Sequence, residues 1–380
     1  MDKDRRVRAL LITTDYPPDI GGLQTYSWRI ARGLPGGMLA AVLAGSDRHR
    51  RVLPAPAPGV ALATRHGRTR WRAFWWSIWS VPWFRLRHRA GFLLHMQWTT
   101  AIPSMLLRRF LPGTRYVVLV HGAELVDPER WLVGLLKGAV LSRADAVVAG
   151  SRHTAEIVTQ LGIRCRRLEV IPYGNPLEGI GEAPAGEGIP ADTPGPRLLC
   201  MHRLVARKGT ALLLDALAGL KDRRWSLDII GRGEEEQRLR EQIVLLKLKD
   251  RVRILPPVDE DMKLKMLRDA SLFILPSLPP VLNNHVEGLG LTLLESQSRG
   301  LPVLAARTGG IPEAVQEGRT GILFRAGDVK DLREKLAELL AAPEKLRAMG
   351  KEGPAWVESH FSWDASLERL AGLMREIAGK

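Results

Sequence analysis

Seven residues separate Glu287 from Glu295 in the run Glu287-Gly288-Leu289-Gly290-Leu291-Thr292-Leu293-Leu294-Glu295. An ionised carboxylate accepts from two neighbouring O–H donors, so a pair at this spacing suits the hydroxyls of a sugar and a ribose. Gly288, Leu289 and Gly290 predict a helix start whose free N–H groups face a cleft. Leu291, Leu293 and Leu294 predict that the helix is largely buried, which argues against Glu295 as an ordinary exposed helical residue. A second cluster is cationic. Arg203 and Lys208, in MHRLVARKGTALLLDAL, follow an apolar strand and precede Gly209 and a helical stretch. From one loop both side chains reach a single diphosphate, Arg as a fork and Lys as a point charge. A solvated basic loop is the plain alternative; the place at the carboxyl end of a strand in an open α/β sheet favours the ligand. A third cluster, PPDIGGLQTY, puts Gly21 and Gly22 at a strand-to-helix junction. Paired glycines there let backbone N–H groups approach a phosphate at the positive end of a helix. A tight turn explains them equally well, and both readings stand.

Two lookalikes are set aside. Gly231-Arg232-Gly233 follows the apolar LDII like a dinucleotide fingerprint, yet it continues Glu234-Glu235-Glu236 and lacks the third glycine. Three negative charges would sit where a pyrophosphate belongs, so a nicotinamide cofactor is not expected. Asp259-Glu260-Asp261 resembles an acidic metal triplet, but it directly precedes the helical MKLKML, and acidic residues at a helix start account for it. No metal and no cofactor beyond a nucleotide-sugar substrate are expected.

These residues need elements to hold them. Apolar strand-like runs alternate with amphipathic helical stretches: Val7 to Thr13, Tyr116 to Val120, Ala146 to Ala149 and Leu168 to Ile171. A second series is Arg197 to Met201, Ser226 to Ile230, Val252 to Leu255, Leu272 to Leu275 and Pro302 to Ala305. Strands in alternation with helices predict parallel sheets covered by helices, an α/β fold. The 380 residues exceed one ordinary core. The Gly- and Pro-rich stretch EGIGEAPAGEGIPADTPGP divides the two series, which predicts domains over 1–178 and 179–359. The final stretch, about 360–378, carries Leu367, Leu370, Met374 and Ile377 on one helical face, either packing on its own domain or returning to the first.

The bulk chemistry narrows the partners. A net charge of +15 calls for an acidic partner: nucleic acid, an anionic membrane or a phosphate-rich small molecule. Cys165 and Cys200 are the two cysteines, too few for a disulfide framework or a cysteine zinc site, and they fit a reducing compartment. The N-terminal MDKDRRVRALLITTDYPP lacks the apolar length of a signal peptide, and no stretch approaches the roughly 20 apolar residues that span a bilayer. A cytoplasmic protein, soluble or peripheral, is expected. Five of the eleven tryptophans fall between Trp71 and Trp83, in WRAFWWSIWSVPWFRLRHR, among Arg65, Arg68, Arg70, Arg72, Arg85, Arg87 and Arg89. Tryptophan beside arginine is the chemistry of a headgroup-level surface helix, at about 1 kcal/mol per basic residue near an anionic leaflet. A core-packed aromatic helix with a basic outer face is the alternative.

The order of a GG loop, R-x4-K and E-x7-E followed by GLPVLAARTGGIPEAV resembles the retaining glycosyltransferases of family 4, over nearly the whole chain. DYPPDIGGLQTY, HGAE, RLVARKG and EGLGLTLLE are similar in style to GDP-mannose-dependent phosphatidylinositol α-mannosyltransferases. The resemblance implies a GT-B fold, two Rossmann-like domains whose parallel sheets face an interdomain cleft that closes on the donor. It implies that Gly21 and Gly22 lie against the distal phosphate and that Arg203 and Lys208 clamp the diphosphate. Glu287 and the amides after it would hold the sugar, Glu295 the ribose, and His121 would line the sugar pocket unless it is a structural histidine. The strand around Ile254 would border the nucleobase, largely through its backbone. Tyr173, in IPYGNP, stands where many relatives carry Asn, so no role is assigned to it. The activity implied is metal-independent transfer of a hexose, mannose from GDP-mannose foremost, with retention to a lipid-linked or glycan acceptor at the inner face of the cell membrane. A UDP-glucose or UDP-N-acetylglucosamine donor is the alternative within the class. A basic nucleic-acid binder is the alternative outside it, but it leaves the paired glutamates unexplained and has no recognised binding module.

Overall fold

A computed structural model describes residues 7–17, 21–46, 55–66, 80–110, 113–126, 131–180, 195–280 and 287–379. The chain divides into two compact units, one of residues 1–176 with 362–380 and one of residues 177–361. The first boundary lies two residues before the division read from composition. The tryptophans at 71–79, the arginines at 68–72 and linker residues 181–194 lie outside the described residues.

The first unit is built on a seven-stranded sheet, in which every pair is parallel. Its strands are β1 (Ala9–Thr13), β2 (Leu39–Ser46), β3 (Ala61–His66), β4 (Phe92–His95), β5 (Arg115–Val120), β6 (Ala146–Ala149) and β7 (Leu168–Val170), in the order β3-β2-β1-β4-β5-β6-β7. Apolar runs without alternation make β1, β4, β5 and β6 buried on both faces, as a helix-covered parallel sheet requires. The connecting helices are α1 (Gly22–Gly33), the helical residues 80–88 (α2), α3 (Ile102–Leu107), α4 (Ala123–Val126), α5 (Trp131–Arg143) and α6 (Arg152–Gln160). The helix at the end of the chain, α13 (Trp363–Ala378), belongs to this unit, with Leu367, Leu370, Met374 and Ile377 all buried. It lies so close to α1 that a Cβ on Gly33 would overlap the Leu367 side chain.

The second unit carries a six-stranded parallel sheet in the order β10-β9-β8-β11-β12-β13. The strands are β8 (Arg197–Met201), β9 (Ser226–Ile230), β10 (Val252–Leu255), β11 (Leu272–Leu275), β12 (Val303–Arg307) and β13 (Gly321–Arg325). The helices are α7 (Thr210–Ala218), α8 (Glu236–Leu245), α9 (Glu260–Asp269), α10 (Leu291–Ser298), α11 (Val329–Leu340) and α12 (Pro343–His360). Leu198, Leu213, Leu217, Leu227, Ile229 and Phe324 are among the side chains of its core. Among the described residues no helix is long and apolar enough to cross a membrane.

In each sheet the strand order reverses next to the first strand, between β1 and β4 and between β8 and β11. Loops leave a parallel sheet in opposite directions at such a point and open a crevice at the carboxyl ends.

Candidate functional site

In the second unit the reversal point is where the basic loop lies. After β8 the chain runs through His202, Arg203 and the buried Leu204 into a 3₁₀ turn, Ala206–Lys208, and then Gly209 caps α7. Gly209 takes φ +69°, and a Cβ there would overlap the Pro276 carbonyl oxygen at the end of β11. The Leu278 N–H donates to the Arg207 carbonyl at 2.8 Å, tying the basic turn to the strand across the reversal. The G-R-G turn after β9 completes the support. Leu204 N–H donates to the Arg232 carbonyl at 2.9 Å, and Cβ atoms on Gly231 and Gly233 would overlap the carbonyl oxygens of His202 and Leu204. Those glycines serve a backbone crossing.

Lys208 and Glu287 meet on this loop. Lys208 Nζ donates to Glu287 Oε2, and Arg207 Nη1 lies 3.7 Å from the same oxygen. Burial pushes the Glu287 carboxyl up, but Lys208 foremost, with Arg207 and His202, outweighs it and holds the group below the ordinary glutamate range. His202 is pushed down to about 4, by burial first and then by Lys208. The Glu287 carbonyl accepts from Gly310 N–H at 2.9 Å, which anchors the loop from the β12 side. Arg203 is exposed, and its guanidinium engages no partner among the described residues. Arg207, not singled out from the sequence, is the cation that joins Lys208 at the carboxylate; the Arg-Lys doublet before glycine was its signal.

Gly288 and the buried Leu289 lead to Gly290, which caps α10 at φ +83°, so the helix proper starts at Leu291. Glu295 lies in the second turn of α10, 9% exposed. Lys263 of α9 donates to Glu295 Oε1 at 3.1 Å and also reaches Glu260 at 3.0 Å. Burial is the main influence on Glu295 and keeps its carboxyl above the ordinary range despite Lys263. Asp259, from the rejected acidic triplet, caps α9 by accepting from Met262 N–H at 2.9 Å. The Ile254 side chain is in the core, and its carbonyl accepts from Arg240 at 3.4 Å.

The first unit holds the other predicted residues. Gly21 caps α1 in extended backbone, its carbonyl accepting from Thr25 N–H at 3.1 Å, with Gly22 exposed beside it. At this unit's own reversal point Asp15 follows β1 and Gln97 follows β4. Asp15 accepts from Gln24 Nε2 at 2.8 Å and from Gln97 Nε2, giving a carboxylate oriented by two carboxamides that sequence reading passed over. His121, after β5, is 9% exposed with both ring nitrogens engaged. Nε2 faces the Met96 carbonyl at 2.7 Å and must donate there; Nδ1 lies 2.6 Å from the Tyr173 hydroxyl and in the neutral ring accepts from it. Tyr173 thus has a role that its sequence context did not suggest. It packs edge-on against Tyr26 at 4.7 Å, and its ring fills the space a Cβ on Gly150 would occupy.

The second unit therefore presents a cationic turn backed by a carboxylate, with a further buried carboxylate on the next helix. Such an arrangement has the chemistry to take an anionic phosphate together with hydroxyl groups. A family model for group 1 glycosyl transferases matches residues 187–356, and one for the glycosyl transferase 4-like domain matches residues 21–174. The chain is 28% identical to the GDP-mannose-dependent alpha-(1-6)-phosphatidylinositol monomannoside mannosyltransferase of Mycobacterium tuberculosis, over 97% of this chain and 98% of the relative. It is 27% identical to the enzyme of the same name from Mycolicibacterium smegmatis, over 96% and 97%. Its fold matches sucrose-phosphate synthase from Thermosynechococcus elongatus with a TM-score of 0.83 and 20% identity, over 98% and 99% of the two chains. With two helix-covered parallel sheets of the GT-B fold and matching models along both, the chain belongs to glycosyltransferase family 4 and is a glycosyltransferase.

Proposed function

We propose that this glycosyltransferase moves a hexose, mannose from GDP-mannose, with retention to a lipid-linked or glycan acceptor at the cytoplasmic face of a membrane. The observation that carries the reading is the turn Arg203–Lys208 at the reversal point of the second sheet, with Lys208 and Arg207 gathered on Glu287. As the bond from the anomeric carbon to phosphate breaks, negative charge grows on the departing diphosphate. Lys208 and Arg203 are the groups to meet it, the exposed Arg203 as a fork. Glu287 orients the lysine and accepts from sugar hydroxyls, and Glu295 accepts from the ribose. Transfer on one face then sends the acceptor hydroxyl's proton to the leaving phosphate oxygen. With cationic side chains in place for the leaving group, no step calls for a metal ion. The choice of mannose and GDP is supported by the names of the full-length relatives.

Membrane placement is supported by the net charge and by α2. Trp83 and Leu86 are 55% and 61% exposed there, with the Arg87 guanidinium 5.4 Å from the Trp83 ring centre. Thermal shifts with a panel of GDP- and UDP-sugars test the donor, because a ligand that binds the native state raises its apparent stability. GDP-mannose should give the largest shift, and a larger one with a UDP-sugar refutes the assignment. The anomeric configuration of the product by NMR tests retention: an α-linked product is expected, and a β-linked one overturns it.

A further inference from the structure

The opposite edge of the first sheet holds a second charged site. The starts of β5, β6 and β7 lie side by side in parallel register, and the residues that precede or begin them frame a pocket of about 400 Å³. It is lined by Arg108, Arg115, Asp145, Arg166, Arg167 and Ile377. Ligands of open α/β sheets bind at the carboxyl ends of strands, so nothing in the transfer reaction explains four arginines at the amino ends.

Three of the four have carboxylates. Asp145 Oδ1 takes Arg108 at 3.0 Å and lies 3.6 Å from Arg166, while its Oδ2 accepts from Tyr116 N–H at 2.9 Å. Arg167 is turned to Glu169 at 2.8 Å and Glu376 at 2.6 Å. Arg115 forms no ion pair among the described residues, and its Nη1 is buried with no hydrogen-bond partner. A buried donor left without a partner is costly, more so when charged. Arg166, 54% exposed and only loosely held by Asp145, has donors to spare.

We infer that this pocket is an oxyanion site that takes the phosphate of an organic phosphate ester, with Arg115 and Arg166 as its principal donors. Planar guanidinium forks match phosphate oxygens two at a time, which explains arginine rather than lysine at all four positions. The volume far exceeds the ~30 Å³ of one water, and Ile377 supplies an apolar wall for the ester's carbon portion. The ester is either a free metabolite or a lipid headgroup, whose phosphate chemistry is the same.

The full chain is titrated calorimetrically with inorganic phosphate at fixed ionic strength. It is also sedimented with phosphatidylcholine vesicles with and without phosphatidic acid. Arg115→Gln should weaken binding by about tenfold or more, and the exposed Arg166→Gln by several-fold. Lys208→Met, which alters the other unit's basic turn, should keep the component that Arg115→Gln removes. Loss of phosphate heat in Arg115→Gln identifies a site for soluble anions. Loss confined to phosphatidic acid vesicles identifies a lipid headgroup site. Binding by both arginine variants equal to wild type, or none by wild type in either assay, overturns the inference.

Discussion

Replacing Lys208 by Met separates what the Lys208–Glu287 pair does for the fold from what it does for the reaction. The two side chains are 11% and 16% exposed, so the bond is a largely desolvated, charge-assisted one. Such a bond contributes about 1.5–3 kcal/mol, and stranding a buried charge costs about 3–5 kcal/mol. Arg207 at 3.7 Å relieves part of that, so the expected loss is roughly 2–3 kcal/mol. At about 2–4 °C per kcal/mol for a domain this size, the melting point should fall by roughly 5–10 °C. Adding Glu287→Gln removes the stranded charge and should restore stability to within about 1 kcal/mol of wild type. Turnover should not follow. Initial rates of hexosyl transfer should drop about 100- to 1000-fold in both the single and the double variant, the usual loss of one preorganised donor. The pH dependence adds a third readout. Wild-type Glu287, held low, contributes stability that is present above the ordinary glutamate range and is lost as pH falls through its folded value. In Lys208→Met, burial is no longer opposed by Lys208, so the carboxyl rises and the variant's deficit should shrink on acidification. Turnover within about threefold of wild type, or a double variant that regains rate along with stability, makes the pair purely structural and refutes the diphosphate clamp.

Gly209→Ala should be among the most damaging small changes in the second unit, because φ +69° disfavours a side chain and the new Cβ meets the Pro276 carbonyl. A loss of roughly 2–4 kcal/mol in urea unfolding is expected, and a loss under about 1 kcal/mol shows that the turn can relax. Tyr173→Phe removes the hydroxyl that donates to His121 Nδ1 and should cost about 1–2 kcal/mol; unchanged stability means that His121 takes no support from it. Lys263→Met leaves Glu295 buried without its cation, so a carboxyl already held high rises further. A raised carboxyl favours folding below its unfolded pKa and loses that advantage as pH climbs through its folded value. The variant's deficit against wild type should therefore be largest at neutral pH and shrink toward acid, and a pH-independent deficit is the contrary result.

Continuous apolar runs made much of the fold legible. β8, β9, β10 and β11 begin and end where the sequence reading put them, since each is a short apolar segment closed by polar or turn residues. β12 runs on to Arg307 because its pairing with β13 extends past Ala305. β2, β3, β4 and β13 were not read. β2 is LAAVLAGS, small residues of low strand propensity, and β4 is four residues long; pairing on both sides holds them, not local preference. The spacing Leu367, Leu370, Met374 and Ile377 announced a buried helical face, but which unit it joins depends on Trp363, whose Nε1 donates to the Asn175 carbonyl at 2.8 Å. Within the site, residue types were legible and partners were not. Lys208 finds Glu287 and Lys263 finds Glu295 across long stretches of chain, and no local pattern encodes such pairs.

The glycines show most directly why motif and mechanism are separate questions. Gly231 and Gly233 look in sequence like residues that make way for a ligand's phosphates, and Gly209 stands beside the basic turn. In the structure each makes way for a carbonyl of the chain itself: Pro276, His202 and Leu204. Three such approaches, with the hydrogen bonds from Leu278 to Arg207 and from Leu204 to Arg232, hold the backbone of the basic turn between two neighbouring segments, the end of β11 and the 231–233 turn. A loop so confined has little conformational freedom left to lose, so under the proposed function the binding of a diphosphate there would cost little in ordering. The glycines thus fix the turn from which Arg203 and Lys208 project, and in the proposed reaction they would serve the ligand only at one remove.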